Sequence, residues 1–247
     1  MRTFGLIGFP LTHSFSKKFF TEKFEREGMA GCSYELFPIE NIDSLPSLIA
    51  ENVSLRGLNV TIPHKVNVLP YLDELDDAAA KIGAVNCISI EKKAGQNWLK
   101  GYNTDAFGFE ESLRPYLKAN HTKALILGDG GAARAVKYVL DQLNISWLSV
   151  VRTTVPGAIV YEDISDELIR SHQVIINTTP LGTFPNVDAA PSIPYHLLTA
   201  EHLAYDLVYN PEETEFLRRA KEKGAAVKNG LEMLHLQAER SWFIWNA

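Results

Sequence analysis

Residues 123–135 constrain the fold of this chain more than any other stretch. A short apolar run, Ala124 to Leu127, drops directly into Gly128-x-Gly130-x-x-Ala133. A helical pattern follows at once, with Ala132, Val136, Val139, Leu140 and Leu143 on one face. Strand, glycine turn and helix in that order form a dinucleotide-binding unit. Gly128 permits the tight turn, Gly130 lets backbone approach a pyrophosphate, and Ala133 lets helix pack on strand. The helix N-terminus then offers free N–H groups and a partial positive charge to phosphates. A plain strand-to-helix turn carries similar glycines, so the motif needs support from elsewhere in the chain.

The chain has 247 residues, enough for one large domain or two small ones. With 46% hydrophobic and 22% charged residues it has the composition of an ordinary globular protein with a sizeable core. A formal net charge of −6 argues against a nucleic-acid partner held through its phosphates. No apolar run approaches the roughly 18–20 residues of a membrane span. Met1 to Leu11 holds Gly5, Gly8 and Pro10 and lacks a small-residue cleavage site, so it reads as a first strand rather than a signal peptide. Cys32 and Cys87 show no metal or redox spacing and read as free buried thiols of a cytoplasmic protein. The histidines show no metal-ligand spacing, and no metal is expected.

The first hundred residues alternate strand and helix signals: strands over 3–8, 33–38 and 57–61, helices over 16–27 and 42–51. Pro63 can open a further helix, where its missing N–H is harmless. Residues 85–90 and 97–101 form a hairpin through the Lys92–Gly95 turn. Thr104 or Asp105 caps a helix reaching about Leu117. His121-Thr122-Lys123 forms the seam, and strands follow at 124–127, 146–151, 173–177 and 203–208. Strands alternating with helices predict a parallel, doubly wound sheet. The expected architecture is α/β. Residues 1–104 form a substrate-binding domain, 105–120 a connecting helix and 121–230 a Rossmann-type nucleotide domain. An amphipathic helix over 231–247 returns to the first domain, leaving a cleft suited to small ligands.

The second strand of the nucleotide unit decides which cofactor fits. An NAD enzyme places an acid roughly 20 residues past the glycines to hold the ribose 2′-hydroxyl. Here Ser146 to Val151 runs into Arg152-Thr153-Thr154. A guanidinium and hydroxyls suit a 2′-phosphate, which points to NADP.

Small polar residues cluster at strand ends of the first domain. They are His13-Ser14-Phe15-Ser16, Asn59-Val60-Thr61-Ile62-Pro63-His64-Lys65, Gly83-Ala84-Val85-Asn86 and Gly101-Tyr102-Asn103-Thr104-Asp105. Each alone has a bland reading. Ser16 or Thr104 can be a helix cap, Lys65 a solvated lysine, Asn59 and Asn86 turn residues, and His13 and His64 structural. Together they suit a small, hydroxyl-rich ligand, because an unmatched buried polar group costs about 1–3 kcal/mol.

These segments, in this order, resemble the shikimate dehydrogenase family over nearly the whole chain. The resemblance extends through Gly8-Phe9-Pro10, Gly128-Asp129-Gly130-Gly131-Ala132 with Arg134, and Arg152-Thr153. It continues through Asn177-Thr178-Thr179 with Gly182, Asp206-Leu207-Val208-Tyr209-Asn210-Pro211, and Asn229-Gly230 with Met233, Leu234 and Gln237. It implies reversible NADPH-dependent reduction of 3-dehydroshikimate to shikimate by a monomer or homodimer. Lys65 and Asp105 become the catalytic pair. Ser14 and Ser16 hold the substrate carboxylate with Tyr209 nearby, and Asn59, Thr61, Asn86 and Gln237 bind ring hydroxyls. Gly128, Gly130, Gly131, Ala132 and Arg134 border the pyrophosphate, Arg152 and Thr153 read the 2′-phosphate, and Gly230 lies near the nicotinamide. Thr178 and Leu207 complete the expected cofactor contacts.

The chain departs from the family pattern at three positions. Lys17 replaces a proline after the second serine, which predicts a less rigid helix start. Val151 replaces an asparagine on the adenosine side. Asp129 stands inside the phosphate turn, where its carboxylate is expected to point away from the cofactor. Related readings are a quinate/shikimate or aminoshikimate dehydrogenase, or a methylenetetrahydrofolate dehydrogenase. Ser14, Ser16 and Gln237 favour a hydroxylated ring acid over a folate. A non-catalytic NADP-binding regulatory module is a different class, disfavoured by the intact Lys65 and Asp105.

Overall fold

The computed structural model describes every residue except Thr12 and His13, so the role expected of His13 lies outside the described residues. The chain forms two compact units, Met1–Thr104 with Gln237–Ala247, and Asp105–Leu236.

The first unit runs β1 (Arg2–Gly8), α1 (Phe15–Arg26), β2 (Cys32–Pro38), α2 (Leu45–Glu51), β3 (Leu55–Val60), α3 (His64–Asn67), β4 (Glu74–Leu75), α4 (Asp77–Ile82), β5 (Cys87–Lys93) and β6 (Gln96–Tyr102). Its mixed sheet has the order β2-β1-β3-β5-β6-β4. The β1 strand pairs in parallel with β2 and β3, setting Leu6 beside Leu36 and Asn59. Apart from its first residue β1 is buried throughout, as a central strand covered on both faces must be. The edge strand β2 has only Tyr34 fully buried.

Helix α1 begins one residue earlier than the sequence suggests. Its N-cap is Ser14, not Ser16, because the Ser14 hydroxyl oxygen accepts from the Lys17 amide at 3.2 Å. The helix expected over 42–51 starts as a 3₁₀ turn, Ile42–Ser44, before α2. Strand β4 was not legible, since two residues carry no periodicity of their own. Cys87 is buried and free as expected, whereas Cys32 is free but only half-buried.

The C-terminal helix α9 (Leu231–Trp245) contributes its second half to this unit. Its buried positions there, Gln237, Ala238, Ser241 and Trp245, recur with helical spacing. Trp245 stacks on Phe4 with centroids 4.9 Å apart and donates its indole N–H to the Ile88 carbonyl at 2.9 Å. Phe20, Phe24, Tyr34 and Trp242 complete this aromatic core, where each large side chain contributes about 1.5–3 kcal/mol through burial. Lys23 ties α1 to α9, pairing with Glu239 at 2.8 Å and with Glu27 at 2.9 Å.

The second unit contains α5 (Thr104–Leu113, whose first residue belongs to the first unit), β7 (Lys123–Leu127), α6 (Gly131–Gln142), β8 (Ser146–Val151), β9 (Ala158–Val160), α7 (Asp166–Ser171), β10 (Val174–Asn177), β11 (Leu203–Asp206), α8 (Glu215–Glu222), β12 (Ala226–Lys228) and the start of α9. Its sheet is parallel throughout, in the order β12-β11-β10-β7-β8-β9. The connection reverses direction between β7 and β10, so a crevice opens at the carboxyl ends of those strands. The helix expected to reach Leu117 ends at Leu113 and tightens into a 3₁₀ turn, Arg114–Tyr116, around Pro115. The short strands β9 and β12 went unread in the sequence. No helix among the described residues is long and apolar enough to cross a membrane.

Candidate active site

The nucleotide-side cleft lies in the second unit, at the carboxyl ends of β7, β8 and β10. It encloses about 480 Å³ and is lined by Gly128, Asp129, Gly130, Arg152, Thr153 and Tyr161, with the segment Thr178–Leu181 and the end of β8. Gly128 adopts φ +105°, and a Cβ there would meet the Thr178 hydroxyl at 2.8 Å. Only glycine combines that backbone with that approach. Gly130 is the N-cap of α6 and offers no side chain to its amides, while Gly130 and Gly131 face open space. Unfilled space at a helix N-terminus with no capping side chain is what a pyrophosphate needs. Ala133 is buried against the sheet, and Ala132 is half-buried on the same turn. Arg134 is exposed on the next residue.

Arg152 and Thr153 are exposed where β8 ends, on the rim of the same cleft. The residues therefore fit a cofactor bearing a 2′-phosphate. Asp129 lines the cleft, but its carboxylate is paired with the Lys137 ammonium, nearly two turns into α6. That pairing neutralises the charge which the sequence made awkward for a phosphate site. Tyr161, directly after β9, supplies an aromatic wall that sequence reasoning missed.

A buried polar network holds the segment Thr178–Leu181 that lines this cleft. Asp206, fully buried at the end of β11, accepts from the Thr214 hydroxyl at 2.6 Å, the Asn177 amide group at 2.9 Å and the Val208 N–H at 3.0 Å. Asn177 in turn accepts from the Thr179 hydroxyl at 2.6 Å. Burial pushes the Asp206 carboxyl up to about 6 against the opposing pull of its three donors. Thr178 donates to the Leu127 carbonyl at 2.9 Å, joining β7 to β10. Leu207 follows Asp206, and Gly230 donates its N–H to the Val208 carbonyl at 3.1 Å. Tyr209 is exposed on the same loop.

The polar clusters of the first unit meet at the ends of β1, β3 and β5. Thr61 donates its N–H to the Ile7 carbonyl at 2.9 Å, and α3 is held by the Val85 N–H donating to the Lys65 carbonyl at 2.8 Å. His64 is structural: buried, with Nε2 against the Ile39 carbonyl at 2.7 Å. Asn59 is buried beside Asn86, and its Nδ2 donates to the Asn86 carbonyl at 3.3 Å and to the Ser241 hydroxyl at 3.0 Å. Asn86 accepts from the Thr104 N–H at 2.6 Å and donates to the Thr104 hydroxyl at 3.0 Å. Thr104 reaches the Gln237 carboxamide oxygen at 3.5 Å. The structure thus gathers Asn59, Asn86 and Gln237 into one buried network. Thr104, from the polar cluster 101–105, shares that network, and so does Ser241, which the sequence did not single out. Ser14 and Ser16 stand at the start of α1, and Lys65 lies half-buried on α3. Asp105, on α5, is the first residue of the second unit. Among the described residues, no cluster of three or more His, Cys, Asp or Glu is placed to hold a metal ion.

Comparison with known proteins places this arrangement. Residues 6–88 match the family model of the shikimate dehydrogenase substrate-binding domain. A shikimate dehydrogenase (NADP(+)) of Methanosphaera stadtmanae is 35% identical over 260 positions, covering 98% of this chain and 90% of the relative. The chain belongs to the shikimate dehydrogenase family. Solved structures of the family agree in fold. The chorismate mutase/shikimate 5-dehydrogenase fusion protein of Clostridium acetobutylicum superposes with a TM-score of 0.87 at 35% identity, covering 100% of this chain and 91% of that one. The shikimate 5-dehydrogenase of Thermus thermophilus, solved with NADP(H) and shikimate, gives 0.84 at 33% identity, covering 99% and 93%. In this shikimate dehydrogenase family member, the residues matched by the family model fall within the unit built on the mixed sheet.

Proposed function

We propose that the chain catalyses the reversible, NADPH-dependent reduction of 3-dehydroshikimate to shikimate. The observation that carries this reading is the full-length family match, reinforced by Arg152 at the end of β8 where an NAD enzyme needs a carboxylate. NADPH, when bound, supplies the hydride. Arg152 and Thr153 hold its 2′-phosphate. The α6 N-terminus with Gly128, Gly130, Gly131, Ala132 and Arg134 holds the pyrophosphate. Thr178, Leu207 and Gly230 shape the nicotinamide end.

On the substrate side, Ser14 and Ser16 donate to the ring carboxylate, with Tyr209 completing that subsite. Asn59, Thr61, Asn86 and Gln237 bind the ring hydroxyls. Lys65 brings an ammonium to the oxygen that becomes an alkoxide, and Asp105 orients that ammonium and holds a hydroxyl. We place the protein in the cytoplasm, as a monomer or homodimer, in keeping with its two free thiols.

The test is cofactor absorbance under steady state with shikimate and with quinate, each with NADP and NAD. Turnover fastest with shikimate and NADP is the expected result. Comparable turnover of quinate makes the protein a quinate/shikimate dehydrogenase. Tight NADP binding without turnover of either substrate supports a regulatory module instead.

A further inference from the structure

Tyr34 is the one fully buried residue of the edge strand β2, and its ring stacks on Phe20 of α1 with centroids 4.7 Å apart. Its phenol donates to the Asn59 Oδ1 at 2.8 Å. One side chain of β2 therefore joins α1, through the Phe20 stack, to the strand that carries Asn59.

The backbone of Tyr34 is held as well. Its carbonyl accepts from the Lys17 ammonium, which also pairs with Glu35 at 3.0 Å. Lys17, where the family has proline, thus gives the helix start a tie to β2. It anchors the first turn of α1 to β2, and the Tyr34 ring packs on Phe20 further along the same helix.

The inventory of Asn59 gives this arrangement a chemical consequence. A carboxamide has two N–H donors and two acceptor lone pairs. Both donors are engaged, by the Asn86 carbonyl and the Ser241 hydroxyl, and one lone pair takes the Tyr34 proton. The remaining lone pair on Oδ1 can only receive a hydrogen bond. We propose that Tyr34 is a positioning residue for substrate: it fixes the orientation of the Asn59 carboxamide so that Asn59 accepts from a ligand hydroxyl and never donates to a ligand carbonyl. This inference rests on the substrate reading given above.

Tyr34→Phe removes the phenol oxygen and keeps the stacked ring. The expected result is a KM for shikimate raised about tenfold, with kcat and the KM for NADP within about twofold of the wild type. Ser241→Ala, which releases one Asn59 N–H from the opposite side, is expected to raise the same KM without altering that for NADP. Urea denaturation of each variant separates stability from binding. Lower stability with an unchanged shikimate KM in Tyr34→Phe makes the tyrosine a structural residue only and overturns the inference. Equal loss in kcat and in both KM values overturns it too. A wild-type protein inert toward shikimate overturns the functional reading and this inference together. An active wild type beside an unaltered Tyr34→Phe overturns the inference alone.

Discussion

Gly230 lies so close to Leu207 that a Cβ on the glycine would stand 2.1 Å from the Leu207 carbonyl oxygen. The contact is with backbone, which no rotamer change relieves. Gly230→Ala must therefore push apart the loop after β11 and the start of α9. The expected outcome is a loss of about 1–3 kcal/mol in urea denaturation, with a raised KM for NADP. Wild-type stability and kinetics would show that this approach does not shape the nicotinamide end.

Arg152 should separate the two nicotinamide cofactors. A guanidinium on a phosphate contributes charge-assisted bonds of about 1.5–3 kcal/mol. Arg152→Ala should raise the KM for NADP by about 10–100-fold and leave that for NAD nearly unchanged. An equal effect on both cofactors would remove the residue from 2′-phosphate recognition.

Lys65→Ala should lower kcat by at least about 10²-fold, the usual scale of a lost acid–base group. The side chain is half-buried on a four-residue helix, so thermal stability should stay close to wild type. Asp105→Asn should lower kcat and also raise the KM for shikimate. Full activity in Lys65→Ala would exclude the ammonium from the reaction.

Asp206 links stability to pH in a direction opposite to most carboxylates. Burial raises its folded value from the ordinary 3.8 to about 6. Between those values the folded state holds a proton that the unfolded chain has released. The contribution to stability is therefore fully present below the unfolded value and is lost as pH rises through about 6. Asp206→Asn is neutral at every pH. Between about pH 4 and pH 7, wild-type stability should decline relative to the variant by up to about 3 kcal/mol. Urea titrations of both proteins at the two pH values measure this, and a constant difference would contradict it.

Much of the second unit was legible because its signals are local. Ala124–Leu127, Gly128, Gly130 and Ala133 lie within ten residues and spell out strand, turn and helix by periodicity and backbone freedom. Arg152 was legible for the same reason, as the first residue past a strand. Strands β4, β9 and β12 were not. Each is two or three residues long and becomes a strand only because a neighbour pairs with it.

In the first unit the residue types of the polar clusters were legible, but their partners were not. Tyr34 reads as one more aromatic in a strand, and Ser241 as a minor polar residue on an amphipathic helix. Their hydrogen bonds to Asn59 cross 25 and 182 positions of the chain.

The sequence by itself determined the α/β class, the glycine turn, the arginine at the end of β8 and the family, because these reside in residue type and short spacing. Only the tertiary structure decided which groups hold the Asn59 carboxamide, which partners Lys17 takes on β2, and how three donors surround the buried Asp206. Hydrogen-bond partners and burial are set where distant segments pack, and no local pattern encodes which distant atom will arrive.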